Sequence, residues 1–519
     1  MPMSSTFLLL HGRYVITDAA KDGCGLLEDG GVLIAGERIV ETGPFADIAK
    51  RHPEARVIGD GSHLVMPGLI DAHSHGHGLS RIQAGVFFDY LENMILDWPW
   101  RVALPQELAC PLTAIRHLRM GFTTVHHNGW DNMGAQALVQ AHTGIARYKE
   151  TGIRLAYSPA VRNINRFACD EREFLQSLSP DLRALAEPFT AYDSQAVAEQ
   201  YLELFEALYT EHNSEFHHIF LSPSWAHGVT PDLLKRIKTR ADELGGIPLH
   251  IHTLQTPHQR AYGLMKHGKS LIAYLDGLGL VDRNVTYGHA IWVDERDIAL
   301  MAERNASVTN HPSCNFHVRN GISPVYEYVK AGVNVALGVD DKSINDDDDP
   351  FMEMRMMHKV HRVGGFDLEN TPPLSARDVI KMATINGARV LGFEGQLGAL
   401  VTGQFADAIV VDIDEMMNDP WVKPGIDIPE LIIHRAKGTQ VRTVIVGGRV
   451  IVEDRRFVDY DVDALFREVK TFCNKGVSPA AAKDAAAMKR LMPHHQRWHN
   501  AMLRHLDVSE PFYLMNGRR

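Results

Sequence analysis

The sequence predicts an α/β fold: a (β/α)8 barrel joined to a smaller β domain assembled from two separate stretches of chain. Three observations lead there. Across residues 66–394, strand-like apolar runs alternate with helical patterns; alternating β and α units imply a parallel sheet, and eight of them close a barrel. On either side of this region the chain reads as short strands punctuated by glycine. Several of the apolar runs end in histidine or aspartate, and a barrel collects its chemistry at the carboxyl ends of its strands.

Taken in order, residues 1–65 form the N-terminal part of the β domain, with strands at 7–17, 32–35, 39–42 and 56–58. The apolar run Leu64-Val65-Met66-Pro67-Gly68-Leu69-Ile70 reads as one buried strand leading into Asp71-Ala72-His73-Ser74-His75. Within 66–394, strand-like runs lie at 123–127, 154–158, 219–223 and 306–310. Residues 231–244 are helical, with Leu233, Leu234, Ile237, Ala241 and Leu244 on one face. Residues 395–455 return to short strands that complete the β domain, and 456–519 form a helical extension in which Ala480-Ala481-Ala482 and Ala485-Ala486-Ala487 favour helix.

Composition narrows the function. With 45% hydrophobic and 23% charged residues, the 519-residue chain is globular. A net charge of -11 without a long basic stretch argues against nucleic acid or an anionic membrane as partner and favours a small molecule. Five scattered cysteines with no Cys-x-x-Cys fit a reducing cytoplasm. The first ten residues lack a basic leader, and no apolar stretch reaches membrane-spanning length.

His73 and His75 are two apart on a strand, so both rings can reach one cation. Further candidate ligands end their own strand-like runs: His252 after 247–251, His289 after 285–288 and Asp340 after 333–339. Imidazole and carboxylate suit zinc, which keeps an open position for water in catalytic sites. Singly, His252 reads as a core histidine and Asp340 as a turn residue; the ordered set points to metal. His250 is read as structural, facing away from its neighbour on the strand.

The motif Pro67-Gly68-Leu69-Ile70-Asp71-Ala72-His73-Ser74-His75, the later His252, His289 and Asp340, and Ala383-Thr384-Ile385-Asn386-Gly387-Ala388 followed by Gly403-Gln404-Phe405-Ala406-Asp407 resemble the amidohydrolase superfamily. The narrower likeness is to its branch of cytosine and guanine deaminases and triazine hydrolases. This resemblance implies a TIM-type barrel with a composite β-sandwich and one divalent metal ion, zinc first, with iron or another divalent ion as alternatives. His73, His75, His252 and Asp340 match the metal ligands, Asp340 doubling as catalytic base, and His289 matches the histidine that touches water or substrate. Binuclear relatives carry a bridging lysine on the fourth strand, but residues 219–225 contain none. Where the deaminase branch places a proton-shuttling glutamate, this chain has Gln255, and a neutral amide cannot act as general acid or base. His258 is one candidate substitute, with a helical or surface role as the alternative.

Other substrate contacts are assigned to His77, His311 and Asp341, with a loop role open for His77. The acidic run 346–349 reads as a solvated loop or a helix cap, and one of His126, His127 and Asn128 faces the pocket. The aromatic residues Phe87, Phe88, Tyr90, Trp98 and Trp100 line a pocket for a flat heterocycle or simply pack. His495 and His499 pack or join subunits, and Tyr513 and Leu514 tuck against a neighbour in a homo-oligomer. The expected activity is hydrolysis of a non-peptide carbon-nitrogen bond in a small heterocycle, with catalytic residues Asp340, His289 and Gln255. Removal of sulfur or halide is the enzymatic alternative, and a noncatalytic scaffold is the alternative of another class.

Overall fold

A computed structural model describes residues 7–129, 134, 136–361, 369 and 372–506; Tyr513 and Leu514 lie outside the described residues. Eight parallel strand positions form the barrel: Leu69–Ser74, Phe122–Asn128, Arg154–Ser158, the pair His218–Ile219 and Ser222–Pro223, Leu249–Thr253, Val285–His289, Ser307–Asn310 and Asn334–Leu337. Hydrogen bonding organises them as two four-stranded parallel sheets, with Ser222–Pro223 in a separate two-stranded one. Parallel bridges between Leu221 and Leu249, Trp225 and His252, and Ser74 and Asp340 close the ring. The fourth strand, expected as one run over 219–223, is split in two. Its two pieces pair with different segments, Arg154–Ser158 and Ala160–Val161.

The run expected to be a single strand over 64–70 changes sheets at Gly68. His63–Pro67 pairs antiparallel with Ala408–Asp412, whereas Leu69–Ser74 pairs with the second barrel strand. Periodicity cannot reveal this, because both halves are fully buried and both read as apolar. Glycine is required at the crossing: a Cβ on Gly68 would lie 2.2 Å from the Thr123 hydroxyl oxygen.

Strands from both ends of the chain join in one nine-stranded sheet. Leu8–Val15, Leu27–Ala35 and Arg38–Pro44 continue one side of the central pair, and Val441–Val446, Arg449–Glu453 and Arg456–Phe457 the other. Barrel and sheet are tied by a buried bidentate ion pair, Arg154 Nε and Nη2 to the Asp407 carboxylate at 2.9 and 2.8 Å. The Arg154 guanidinium also lies over the rings of Phe216 and Phe405, at 3.8 and 4.2 Å.

The expected helix over 231–244 is Pro231–Glu243, capped by the Thr230 hydroxyl, with Leu233, Leu234, Ile237 and Ala241 buried. The extension forms Val462–Cys473 and Pro479–Met502. The second of these packs on Leu91–Asp97 and Trp98–Trp100, on Pro180–Thr190 and on Pro257–His267. His495 and His499 fasten it within the chain: His495 Nε2 donates to the Phe167 carbonyl at 2.9 Å, and His499 Nε2 accepts from the Cys169 amide at 3.4 Å. Among the described residues, no helix is long and apolar enough to cross a membrane.

Candidate metal centre and its cavity

Strict alternation would give Asp71, His73 and His75 one direction, yet Asp71 meets the helix Gln106–Met120 through His117, while His73 stacks inside the barrel between His250 and His311. The pairing register shifts between Asp71 and Ser74. Such a bulge re-aims the side chains that follow it. His289 shows a comparable device. By alternation it would share the outward face of Val285 and Tyr287, but its backbone is left-handed, with φ 69°, and its ring turns inward. Asp340 also has a left-handed backbone, with φ 65°. Non-glycine residues held there are strained and tend to mark functional positions.

His73, His75, His252 and Asp340 converge. His73 Nε2 lies 3.1 Å from His252 Nε2 and 3.5 Å from Asp340 Oδ1, and His75 Nε2 lies 3.3 Å from the same oxygen. Ligands held about 2.0–2.1 Å from a tetrahedral ion stand roughly 3.3 Å from each other, so the spacing fits one divalent cation. Carbonyl groups fix two of the rings: His75 Nδ1 donates to Asn128 O at 3.1 Å and His252 Nδ1 to Ser224 O at 2.7 Å. With Nδ1 so engaged, each Nε2 faces the centre, the usual outer-shell arrangement of metal-ligating histidines. Burial alone would lower the His75 pKa, but the Asp340 carboxylate beside it outweighs burial and raises it. Burial holds the His73 and His252 imidazoles far below their ordinary pKa, so they are neutral donors. Burial alone would raise the Asp340 carboxyl, but the His73 and His75 contacts outweigh it and hold it ionised.

A second grouping, His289 and His311 with His73 and Asp340, shares two of these donors. His289 Nε2 is 3.5 Å from Asp340 Oδ2, and its Nδ1 is 3.3 Å from Asn315 Oδ1. Gly338 makes room for this layer, since a Cβ there would lie 2.6 Å from the His311 ring. Cys314 donates its thiol to Asp340 Oδ2 at 3.0 Å, and burial pushes that thiol far up. Sequence reasoning gave Cys314 no role; the structure makes it a hydrogen-bond partner of the carboxylate. His250, expected to face elsewhere, shares the interior face with His252, as residues two apart must. It lies one layer deeper, its ring stacked 4.6 Å from that of His73.

The centre opens into a cavity of about 990 Å³ lined by His75, His77, His252, Gln255, His289, Asp340 and Asp341. Asp341 Oδ1 is buried there without a hydrogen-bond partner. His127 and Asn128 reach this cavity, whereas His126 is buried within the barrel and bonded to Ser158. Two residues expected at the substrate lie behind the wall. His311 is fully buried, and His258 turns toward Glu92, its Nδ1 2.8 Å from Oε1. Glu92, which sequence reasoning missed, also accepts from the Thr256 hydroxyl at 2.7 Å. Of the aromatic residues after the first strand, Trp98 lines the cavity, Phe88 stacks on His317, and Phe87 is exposed.

The acidic run is not a solvated loop. Asp349 caps Pro350–Val360, and the fully buried Asp348 binds Lys342 at 2.7 Å. Asp348 also lies 3.5 Å from His117 Nδ1. Both His117 nitrogens face acceptors, Nε2 toward Asp71 Oδ2 at 2.8 Å and Nδ1 toward Thr113 O at 2.9 Å, as an imidazolium requires. Asp71 Oδ1 in turn accepts the amides of His73 and Val339 at 3.1 and 2.9 Å, joining the strand ends that carry His73 and Asp340. Burial alone would lower the His117 pKa, but Asp348 and Asp71 outweigh it and raise it from 6.5 to about 9. Because the folded value is the higher one, the contribution to stability is complete below 6.5 and is lost as pH rises through about 9. Urea midpoints should therefore fall across that window, and His117→Asn should flatten the fall. Equal slopes in both proteins would remove the charge from His117.

A closed parallel barrel with three imidazoles and a carboxylate at its carboxyl edge defines a metal-dependent barrel hydrolase. The chain belongs to the amidohydrolase family, whose model matches residues 64–451. A second model, the bacterial imidazolonepropionase-like composite domain, matches residues 30–55. The chain is 28% identical over 479 residues to the 5-methylthioadenosine/S-adenosylhomocysteine deaminase of Nitratidesulfovibrio vulgaris strain DP4, covering 91% of this chain and 97% of that protein. It is 34% identical over 251 residues to the 5'-deoxyadenosine deaminase of Methanosarcina acetivorans, spanning 48% of this chain and 56% of that one. Among solved structures, an adenosine deaminase from Xanthomonas campestris with bound zinc aligns at TM-score 0.73 and 26% identity, covering 90% and 98% of the two chains. The atrazine chlorohydrolase of Arthrobacter aurescens TC1, complexed with zinc, aligns at TM-score 0.74 and 23% identity over 90% and 99%, which shows the shared fold.

Proposed function

We propose that this enzyme removes an amino group hydrolytically from a small heterocycle, with one zinc ion held by His73, His75, His252 and Asp340. The observation that carries this reading is the convergence of those four donors, 3.1–3.5 Å apart, beside the cavity. A divalent ion bound there would supply the Lewis acidity that brings the pKa of water down to about 7. Asp340, ionised and at the cavity wall, takes the proton from the attacking water and returns it to the amine, which departs as ammonia. His289, held by Asn315, presents Nε2 to the reacting carbon's substituent. The unpartnered Asp341 Oδ1 accepts from an amino or ring N–H, and His77 lines the same cavity. The relatives that are adenosine-type deaminases support amine as leaving group and an adenine-like ring. The reading also takes the enzyme to be a cytoplasmic homo-oligomer.

A specific observation favours a second reading. Gln255 lines the cavity with a neutral amide, which suits a halide or sulfur group that departs without a proton. One experiment separates them. Metal analysis should give one zinc per chain, a chelator should abolish turnover and zinc should restore it, and ammonia should be the product from amino-heterocycles. Gln255→Glu should then raise ammonia release by up to about 10²-fold, the lower end of what a positioned acid supplies. Activity that survives metal removal would overturn the metal reading. Chloride or sulfide as the only product, with no gain from Gln255→Glu, would establish the second.

A further inference from the structure

The cavity is larger than a single heterocycle requires, and one of its lining residues comes from a part of the chain outside the region matched by the amidohydrolase model, residues 64–451. Met488, on the helix Pro479–Met502, is fully buried, yet it lines the same cavity as His252 and Asp340. It belongs to an apolar cluster with Phe167 and Leu96. Leu91, Met94, Ile95 and Trp98 complete the apolar wall. The position of this helix is fixed rather than adventitious, because His495 and His499 bond to the backbone of the loop after the third strand, at Phe167 and Cys169. The cavity therefore joins the polar groups of the metal centre to apolar side chains, one of them supplied by the C-terminal helix.

We propose that the C-terminal helix is part of the substrate site and that Met488 determines specificity, receiving an apolar substituent carried by the heterocycle on the side remote from its reacting amine. This rests on the heterocycle reading above and names the substrate's second recognition element. A thioether side chain is unbranched and polarizable, and so fits alkyl, thioether or aryl groups of varied shape. Four arginines also line this cavity, Arg81, Arg101, Arg162 and Arg166; Arg81 is paired with Asp97, and Arg162 lies over the Trp225 ring and Arg166 over the Tyr192 ring, each at 4.4 Å.

The test is binding rather than turnover. Calorimetric affinities would be measured on the full-length, zinc-loaded protein for adenine and for its methyl, butyl and carboxybutyl derivatives, substituted on the ring nitrogen remote from the amine. Wild type, Met488→Ala and Met488→Arg would be compared, with circular dichroism and thermal melting to establish that each is folded. Butyl should bind wild type at least about tenfold tighter than methyl, in keeping with 10- to 200-fold per methylene in an apolar pocket. Met488→Ala should weaken the butyl derivative by about tenfold and leave adenine itself unchanged, whereas Met488→Arg should reverse the preference toward carboxybutyl. The same rank and ratios in all three folded proteins, carboxybutyl binding tightest in wild type, or no binding of any derivative would overturn the proposal. Tail-dependent binding with no ammonia released would leave it standing and defeat the deaminase reading instead.

Discussion

Asp340→Asn is expected to lower turnover by about 10²- to 10⁴-fold, the usual worth of a positioned general base. The fold should survive, because the Asp340 backbone makes its own closure contacts: its amide donates to His73 O at 2.8 Å and its carbonyl accepts from the His75 amide at 3.2 Å. Asparagine preserves the size of the side chain and one oxygen ligand but cannot take a proton. The loss should therefore appear in kcat, with near-normal circular dichroism and melting. A variant that turns over within a few-fold of wild type would remove Asp340 from the role of base.

Asp407→Ala should be the most damaging change to stability, at about 3–5 kcal/mol, because it strands a guanidinium in the interior. Arg154 is fully buried, both of its bonds to a carboxylate go to Asp407, and the same carboxylate accepts the Gly447 amide at 2.8 Å. Replacing both partners with apolar residues, as in Arg154→Met with Asp407→Leu, should cost less than Asp407→Ala alone, since no unpaired charge remains. Urea unfolding of the three proteins measures this. A loss below about 1 kcal/mol for Asp407→Ala would place the pair among those that contribute little.

The barrel and the candidate ligands at its strand ends were legible because each depends on short-range pattern, joined into one set by the family resemblance. His73 and His75 announce themselves by a spacing of two, and His252, His289 and Asp340 each follow an apolar run of strand length. What lay outside the sequence depends on pairing at long range. The contacts of Glu92 with Thr256 and His258 join segments that only the folded barrel brings together. The same holds for His117 between Asp71 and Asp348, so the acidic run looked solvated although one of its members is at the bottom of a charged network. The inward turn of His289 depends on a left-handed backbone at a residue that carries no glycine signal. His250 was a different matter, since the period of two already placed it with His252.

The pairing of His63–Pro67 with Ala408–Asp412 has a consequence for biosynthesis. Pro67 meets Ala408, so the first strand to leave the ribosome in this central pair waits for a partner about 340 residues later. At roughly 5–20 residues per second, that delay lasts on the order of 20 to 70 seconds. Throughout it, the N-terminal strands present an open, apolar edge of the sort that recruits neighbouring chains. That edge is thus left uncovered during synthesis until Ala408–Asp412 has emerged.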